Sequence, residues 1–384
     1  MIRFLKILGT IILTLSVAIF ILIMLDFGYI FRGIKTTYLQ GHETAYIDDY
    51  NHFANRLIKA KPEAAKWPLH SNYNSVDPTD KLVNLNKELE TAAFLIIKND
   101  SIWFEEYYQN YVPDSKTNSF SMAKSIVSAL LGRAIKDGHI KSLEQPVSDF
   151  FPQFKEDLKI GDLASMSSGL NWNENYYNPF GMTARAYFDT NIRDLVLQLE
   201  VTEKPGKSFK YLSGNTILLG MVIEKASGEN LSNYLSEKFW IPMGMQNDAL
   251  WQLDSQESGM EKAYCCIASN ARDFARFGKL YKNKGKWNGK QLLDSAFVVR
   301  STVPRFKENP EYGYGFWLSD YKGKDIFYMR GILGQYVIVI PEDDLIIVRL
   351  GEKLIKKKDD ETHAPDFYKY IDETYKMLND VAKS

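Results

Sequence analysis

The sequence predicts an α/β chain: one sheet built from strands at both ends of the folded unit, helices in the middle, and a membrane-spanning helix in front. Three observations predict it. Residues 7–25 carry no charged side chain, residues 91–108 read as a hairpin, and β-branched or aromatic runs return only after residue 312. Strands at both ends with helices between suggest one sheet holding a helical insert. The chain has 384 residues, 45% hydrophobic and 25% charged, an ordinary globular composition that excludes disorder and low complexity. Lys+Arg 47 against Asp+Glu 48 gives no electrostatic reason to expect nucleic acid as a partner. Two cysteines cannot build a disulfide framework.

The apolar run comes first. As a helix it spans about 28 Å, close to the roughly 30 Å hydrocarbon core. Arg3 and Lys6 precede it, which favours an inside N-terminus and a chain held outside the cytoplasm. A cleaved signal peptide is the rival reading, with Ser16-Val17-Ala18 as the small-x-small site, but that cut would leave the apolar residues 19–25 exposed. Residues 1–25 therefore read as a transmembrane signal anchor. Residues 26–85 are polar and broken at Lys61-Pro62, Trp67-Pro68 and Asp77-Pro78. They read as a juxtamembrane extension wrapped onto the unit that follows, 86–384.

In that unit residues 92–97 form one strand, Asn99-Asp100 the turn and 102–108 the return. Residues 121–136 carry Ile126, Val127, Leu130, Leu131, Ala134 and Ile135 at helical spacing and stop at Asp137-Gly138. From about 140 to 300 a mostly helical subdomain is expected, with helices over 192–199, 216–226, 231–239 and 271–281. Strands over 312–318, 326–330, 336–340 and 345–350 follow, and a helix over 365–381 closes the chain.

No G-x-S-x-G elbow, H-E-x-x-H motif or metal-spaced cluster occurs. Cys265-Cys266 are adjacent, which is wrong for a C-x-x-C motif, and read as two small, partly buried thiols. The informative piece is Ser121-Met122-Ala123-Lys124. A Ser and a Lys three apart share a helix face. A Lys close to a hydroxyl can take its proton once its own charge is suppressed. Spacing alone leaves a plainer reading open, in which Ser121 caps the helix and Lys124 is solvated. A second S-x-x-K, Ser319-Asp320-Tyr321-Lys322, runs into Gly323 and reads as a turn. Two further pieces are Tyr211-Leu212-Ser213-Gly214-Asn215, opening a helix, and Met329-Arg330-Gly331-Ile332, between two strands.

In order and spacing these three pieces resemble the serine β-lactamase and penicillin-binding-protein superfamily. The pattern is most similar to its class C-like serine hydrolases, in the 6-aminohexanoate-oligomer hydrolase and esterase branch. The likeness covers about residues 85–384. It is supported by Ser167-Ser168-Gly169-Leu170, Trp240-Ile241-Pro242-Met243-Gly244-Met245, Ala271-Arg272-Asp273-Phe274-Ala275-Arg276 and Tyr312-Gly313-Tyr314-Gly315. It implies an antiparallel sheet flanked by helices plus a mostly helical subdomain, with the site in the cleft between them. It implies Ser121 as nucleophile, Lys124 as activating partner and Tyr211 as proton relay. The backbone N–H groups of Ser121 and Ile332 would form the oxyanion hole beside Gly331, and Tyr176 would hold the substrate amide. No metal or organic cofactor is implied.

Two departures matter. Ser213 stands where the family pattern has Asn, and Met329 stands where it has Lys or His. Both groups normally help to hold β-lactams. The expectation is a membrane-anchored serine hydrolase of a small or peptide-like ester or amide. A D-Ala-D-Ala carboxypeptidase or weak β-lactamase, and a catalytically silent binding protein on the same fold, are the alternatives.

Overall fold

The computed structural model describes residues 2–381 apart from Pro62, Glu156 and Asp359. Pro62 of the expected Lys61-Pro62 break, Met1 of the anchor and the last three residues of the 86–384 unit lie outside the described residues.

The chain opens with α1 (Ile2–Met24), long and apolar enough to cross a membrane, with a mean hydropathy of 2.8 and no buried residue. α2 (Tyr29–Thr36), β1 (Asn55–Ile58) and α3 (Asp80–Glu88) follow. The hairpin is β2 (Thr91–Lys98) and β3 (Ser101–Tyr107). Asn99 and Asp100 both take left-handed backbone, φ +50° and +59°, the requirement of a tight type I′ turn. β4 (Thr117–Asn118) leads into α4 (Met122–Lys136).

Next come α5 (Ile160–Ala164), α6 (Met182–Phe188), α7 (Ile192–Leu197), α8 (Ser213–Ser227) and α9 (Leu231–Leu235). β5 (Ala249–Gln252), β6 (Ile267–Ser269) and α10 (Ala271–Lys282) follow, then the small hairpin β7 (Lys286–Trp287) and β8 (Lys290–Gln291), and α11 (Ser295–Ser301). β9 (Trp317–Ser319), β10 (Ile326–Gly331), β11 (Gln335–Ile340), β12 (Leu345–Gly351) and α12 (Pro365–Val381) complete the chain.

The main sheet has the order β3-β2-β12-β11-β10-β9 and is antiparallel throughout. Both ends of the unit build it, because β12 pairs with β2 from Leu345↔Lys98 to Gly351↔Thr91. Alternate residues of each strand face opposite layers. Leu95, Ile97, Val337, Val339, Ile346 and Val348 join the core with α4, α8 and α10. Phe94, Ile96, Ile338 and Ile347 pack with α3 and α12.

Three expectations are corrected. The helical stretch also contains β5 and β6, which join β1 and β4 in a second sheet of order β1-β5-β6-β4. These strands have four residues or fewer, too few for alternation to register in the sequence. The segment read as a strand over 312–318 is an isolated bridge at Tyr312 and a short β9, because Gly315 takes φ +85°. Finally, Cys265 and Cys266 are not free thiols. They are joined to each other, with Cα atoms 3.7 Å apart. Left-handed backbone at Cys266, φ +76°, interrupts the alternation that sends neighbouring side chains of a strand to opposite faces.

Candidate active site

The site begins at the turn between β4 and α4. Asn118 N–H donates to the Ile47 carbonyl (2.7 Å), and Ser119 N–H to that of Ile267 (2.8 Å). The Asn118 side chain then bridges: its Oδ1 accepts from Phe120 N–H (2.9 Å) and its Nδ2 donates to Asp49 Oδ1 (2.9 Å). Phe120 is buried with φ +44°, a conformation that persists for a bulky residue only where the surroundings enforce it. Asp49 also accepts from Tyr187 Oη and Gln252 Nε2. Its burial pushes the carboxyl above the usual range, against these hydrogen bonds and the nearby Lys262 charge.

Ser121 emerges from this turn at the start of α4 and makes no capping bond through its side chain. Lys124 is 2% exposed, so the plainer reading of a helix cap beside a solvated lysine does not describe this pair. Lys124 Nζ lies 3.0 Å from Ser121 Oγ, 3.3 Å from Ser213 Oγ and 2.9 Å from the Tyr264 carbonyl. Those three acceptors match the three donors of an ammonium.

Ser213 opens α8. Its N–H and Oγ both donate to the Glu174 carboxylate, at 2.7 and 2.6 Å. The same carboxylate accepts from Trp172 Nε1 (2.6 Å) and Tyr176 Oη (2.6 Å). A polar chain therefore runs Ser121–Lys124–Ser213–Glu174–Tyr176.

Tyr211 meets this chain through its ring, whose centroid is 5.0 Å from Lys124 Nζ. The ring packs on Tyr312 and Trp317. Among the described residues no hydrogen bond joins its hydroxyl to Ser121 or Lys124. Ile332 lines the same cleft as Ser121, Tyr176 and Ser213, a space of about 270 Å³. Ile332 follows Gly331, the last residue of β10, and precedes Leu333 at φ +63°. Buried Arg349 of β12 secures this turn by donating to the Leu333 carbonyl (2.7 Å) and the Gly334 carbonyl (3.0 Å).

The beta-lactamase family model matches residues 56–366. The chain belongs to the beta-lactamase family. It is 24% identical over 300 residues to a 6-aminohexanoate-dimer hydrolase of Paenarthrobacter ureafaciens, covering 71% of this chain and 76% of that one. It is 23% identical over 372 residues to a teichoic acid D-alanine hydrolase of Staphylococcus aureus strain MRSA252, covering 88% and 89%. Among solved structures, a candidate 6-aminohexanoate-dimer hydrolase from Bacillus anthracis superposes with a TM-score of 0.73 at 22% identity, covering 88% of this chain and 92% of that one. The chain is thus a serine hydrolase of the beta-lactamase family.

The two departures from the family pattern have visible consequences. Met329 is buried in the core layer shared with α4 and α10, so its position brings no charge to the cleft. Its neighbour Arg330 stacks its guanidinium 4.3 Å from the Trp317 ring centroid. Ser213, in place of Asn, uses one hydroxyl both to accept from Lys124 and to donate to Glu174.

Sequence reasoning missed Glu174, Asp49, Arg349 and the Tyr264 carbonyl. Glu174 lies in the segment singled out for Tyr176, but no spacing rule marks a carboxylate that acts across the fold. Tyr264 acts through its backbone, which leaves no trace in side-chain identity.

Proposed function

We propose that this serine hydrolase is membrane-anchored and cleaves an ester or amide through an acyl-enzyme on Ser121, with Lys124 and Tyr211 as proton carriers. One observation carries the reading: a buried Lys124 Nζ stands 3.0 Å from Ser121 Oγ. As the base, Lys124 donates to Ser213 and the Tyr264 carbonyl and turns a lone pair to the Ser121 hydroxyl. It takes that proton as Ser121 Oγ attacks the substrate carbonyl carbon. The negative oxygen formed is met by the N–H groups of Ser121 and Ile332, where a single donor is worth about 3–4 kcal/mol. Collapse breaks the C–O or C–N bond. Tyr211 protonates the leaving group and regains its proton from Lys124, and water releases the acyl group.

The buried Met329 favours an ester or plain amide over β-lactams and D-Ala-D-Ala peptides, because no cation stands there to bind their carboxylate. The likeness to a 6-aminohexanoate-dimer hydrolase and to a teichoic acid D-alanine hydrolase supports hydrolysis of a bond to an amino-acid unit. The apolar α1 and the basic residues at its start support the anchor.

A fluorophosphonate probe with mass mapping of the adduct tests the nucleophile: modification on Ser121 is expected, and labelling that survives Ser121→Ala unchanged rejects the assignment. Turnover across esters, linear amides, β-lactams and D-Ala-D-Ala peptides then tests the bond class.

A further inference from the structure

One wall of the cleft is not made by the family's own span. α2 is separated from the apolar helix α1 only by residues 25–28, yet it lines the same space as Ser121. It ends before residue 56, where the family match begins. Ile30 and Ile34, four apart on one face of α2, line that space together with Ala184 and Phe188 of α6. The two helices touch where a Cβ on Gly33 would stand 3.2 Å from the Phe188 ring. An Arg32–Asp189 ion pair at 3.3 Å and the edge contact of Phe27 on Phe180 hold them together. Exposed aromatic side chains line the edge of that space beside Glu43 and Asn178: Tyr177 is 90% and Tyr38 63% accessible. Large aromatic groups left in water are unfavourable on a soluble protein, whereas Tyr and Phe settle at a bilayer interface.

We propose that this wall binds the hydrocarbon chain of a bilayer-resident amphiphile, whose ester or amide bond then lies at Ser121. The α1 anchor places the aromatic mouth at the lipid surface, and the chain lies along the groove that α2 and α6 wall together. The proposal rests on the anchored-hydrolase reading and names its substrate class. Each methylene moved out of water adds several-fold to binding, so the site should discriminate by chain length.

The full-length protein in phosphatidylcholine vesicles is assayed on 4-nitrophenyl acetate, butyrate, octanoate and dodecanoate, and on a matching series of alkyl acetates that places the chain on the leaving group. The ratio of kcat/KM for octanoyl or octyl over its two-carbon counterpart should be about tenfold or more in one series. It should collapse towards unity in Ile34→Asp, an exposed position, and in Ala184→Phe, which fills the groove. A ratio near unity in both series, or one unmoved by both variants, overturns the proposal. A diazirine-bearing dodecanoic acid gives a readout without turnover: adducts on residues 30–34 and 184–188 are expected, and adducts confined to 2–25 overturn the site. Those adducts with no turnover of any ester would defeat the hydrolase reading and leave the chain site standing. Turnover with flat ratios would defeat the chain site alone.

Discussion

At the scale of single residues, the site depends on buried groups whose partners are spent on one another. Lys124 has three acceptors within 3.3 Å, so removing it deletes the proposed base and takes one donor from Ser213 Oγ and from the Tyr264 carbonyl together. Lys124→Ala should lower kcat/KM by about 10²–10⁴-fold, the usual contribution of a positioned base, with the folded state retained by circular dichroism. Glu174→Gln tests the outer end of the chain. An amide can accept only through one oxygen, whereas the carboxylate takes bonds from Ser213, Trp172 and Tyr176 on two. A drop in kcat of about tenfold or more, measured on a reactive ester, is expected, and full activity would show that Ser213 needs no such anchor. Arg349 is buried and donates to the carbonyls of Leu89, Leu333 and Gly334 and to Thr91 Oγ1. Arg349→Met takes that donor from the Leu333 and Gly334 carbonyls and leaves the Leu89 carbonyl only Lys353 N–H at 3.2 Å, and chemical denaturation should read a loss of about 3–5 kcal/mol.

At the scale of elements, two packings are decisive. α10 lies on the main sheet so closely that a Cβ on Gly278 would stand 2.9 Å from Val337 Cγ1 and 3.0 Å from Val339 Cγ2. Both neighbours are β-branched and stiff at χ1, so Gly278→Ala should cost about 1–3 kcal/mol by overpacking, read from the urea midpoint. On the opposite face, His363 lies just ahead of α12 with Nδ1 2.6 Å from Tyr328 Oη. Burial, then the charges of Arg330 and Lys357, push its pKa from 6.5 down to about 4. Between those values the unfolded chain binds the extra proton and the folded one does not, so stability rises with pH across that window. It is fully present above pH 6.5 and is lost on acidification towards pH 4, by about 3 kcal/mol for this one group. Denaturant unfolding at pH 7 and pH 4.5 should show this difference, and His363→Phe should shrink it.

At the scale of the whole molecule, the apolar helix and the cleft belong to one arrangement, because α1 runs directly into a segment that walls the site. Full-length protein should sediment with membranes and resist carbonate extraction, whereas a chain lacking residues 1–25 should remain in the supernatant. Recovery of the full-length chain in the soluble fraction would reject the anchor. The segment 26–85 also supports the site. Its Asp49 holds Asn118, its Ile47 carbonyl holds the same residue's backbone, and β1 completes the second sheet. Deletions reaching residue 49 should therefore abolish activity as well as localisation.

The sequence by itself determined the elements whose signal is local. The hairpin at Asn99-Asp100, α4 with its stop at Gly138, the strands after residue 325 and the 2–24 helix were all legible, because periodicity and turn chemistry act between near neighbours. The spacing of Ser121 and Lys124 placed them on one side of a helix start, but left their pairing open beside a plain cap. Only the tertiary structure decided the rest. Strands of two to four residues form because a distant partner is present, as β1 does with β5. Glu174 reaches Ser213, Asp49 reaches Asn118 and Arg349 reaches Leu89 across the chain, separations for which chain order holds no rule. A plain cap beside a solvated lysine and a lysine buried against Ser121 are identical in sequence. What separates them is whether the fold closes over Lys124, and burial is a property of the assembled layers alone.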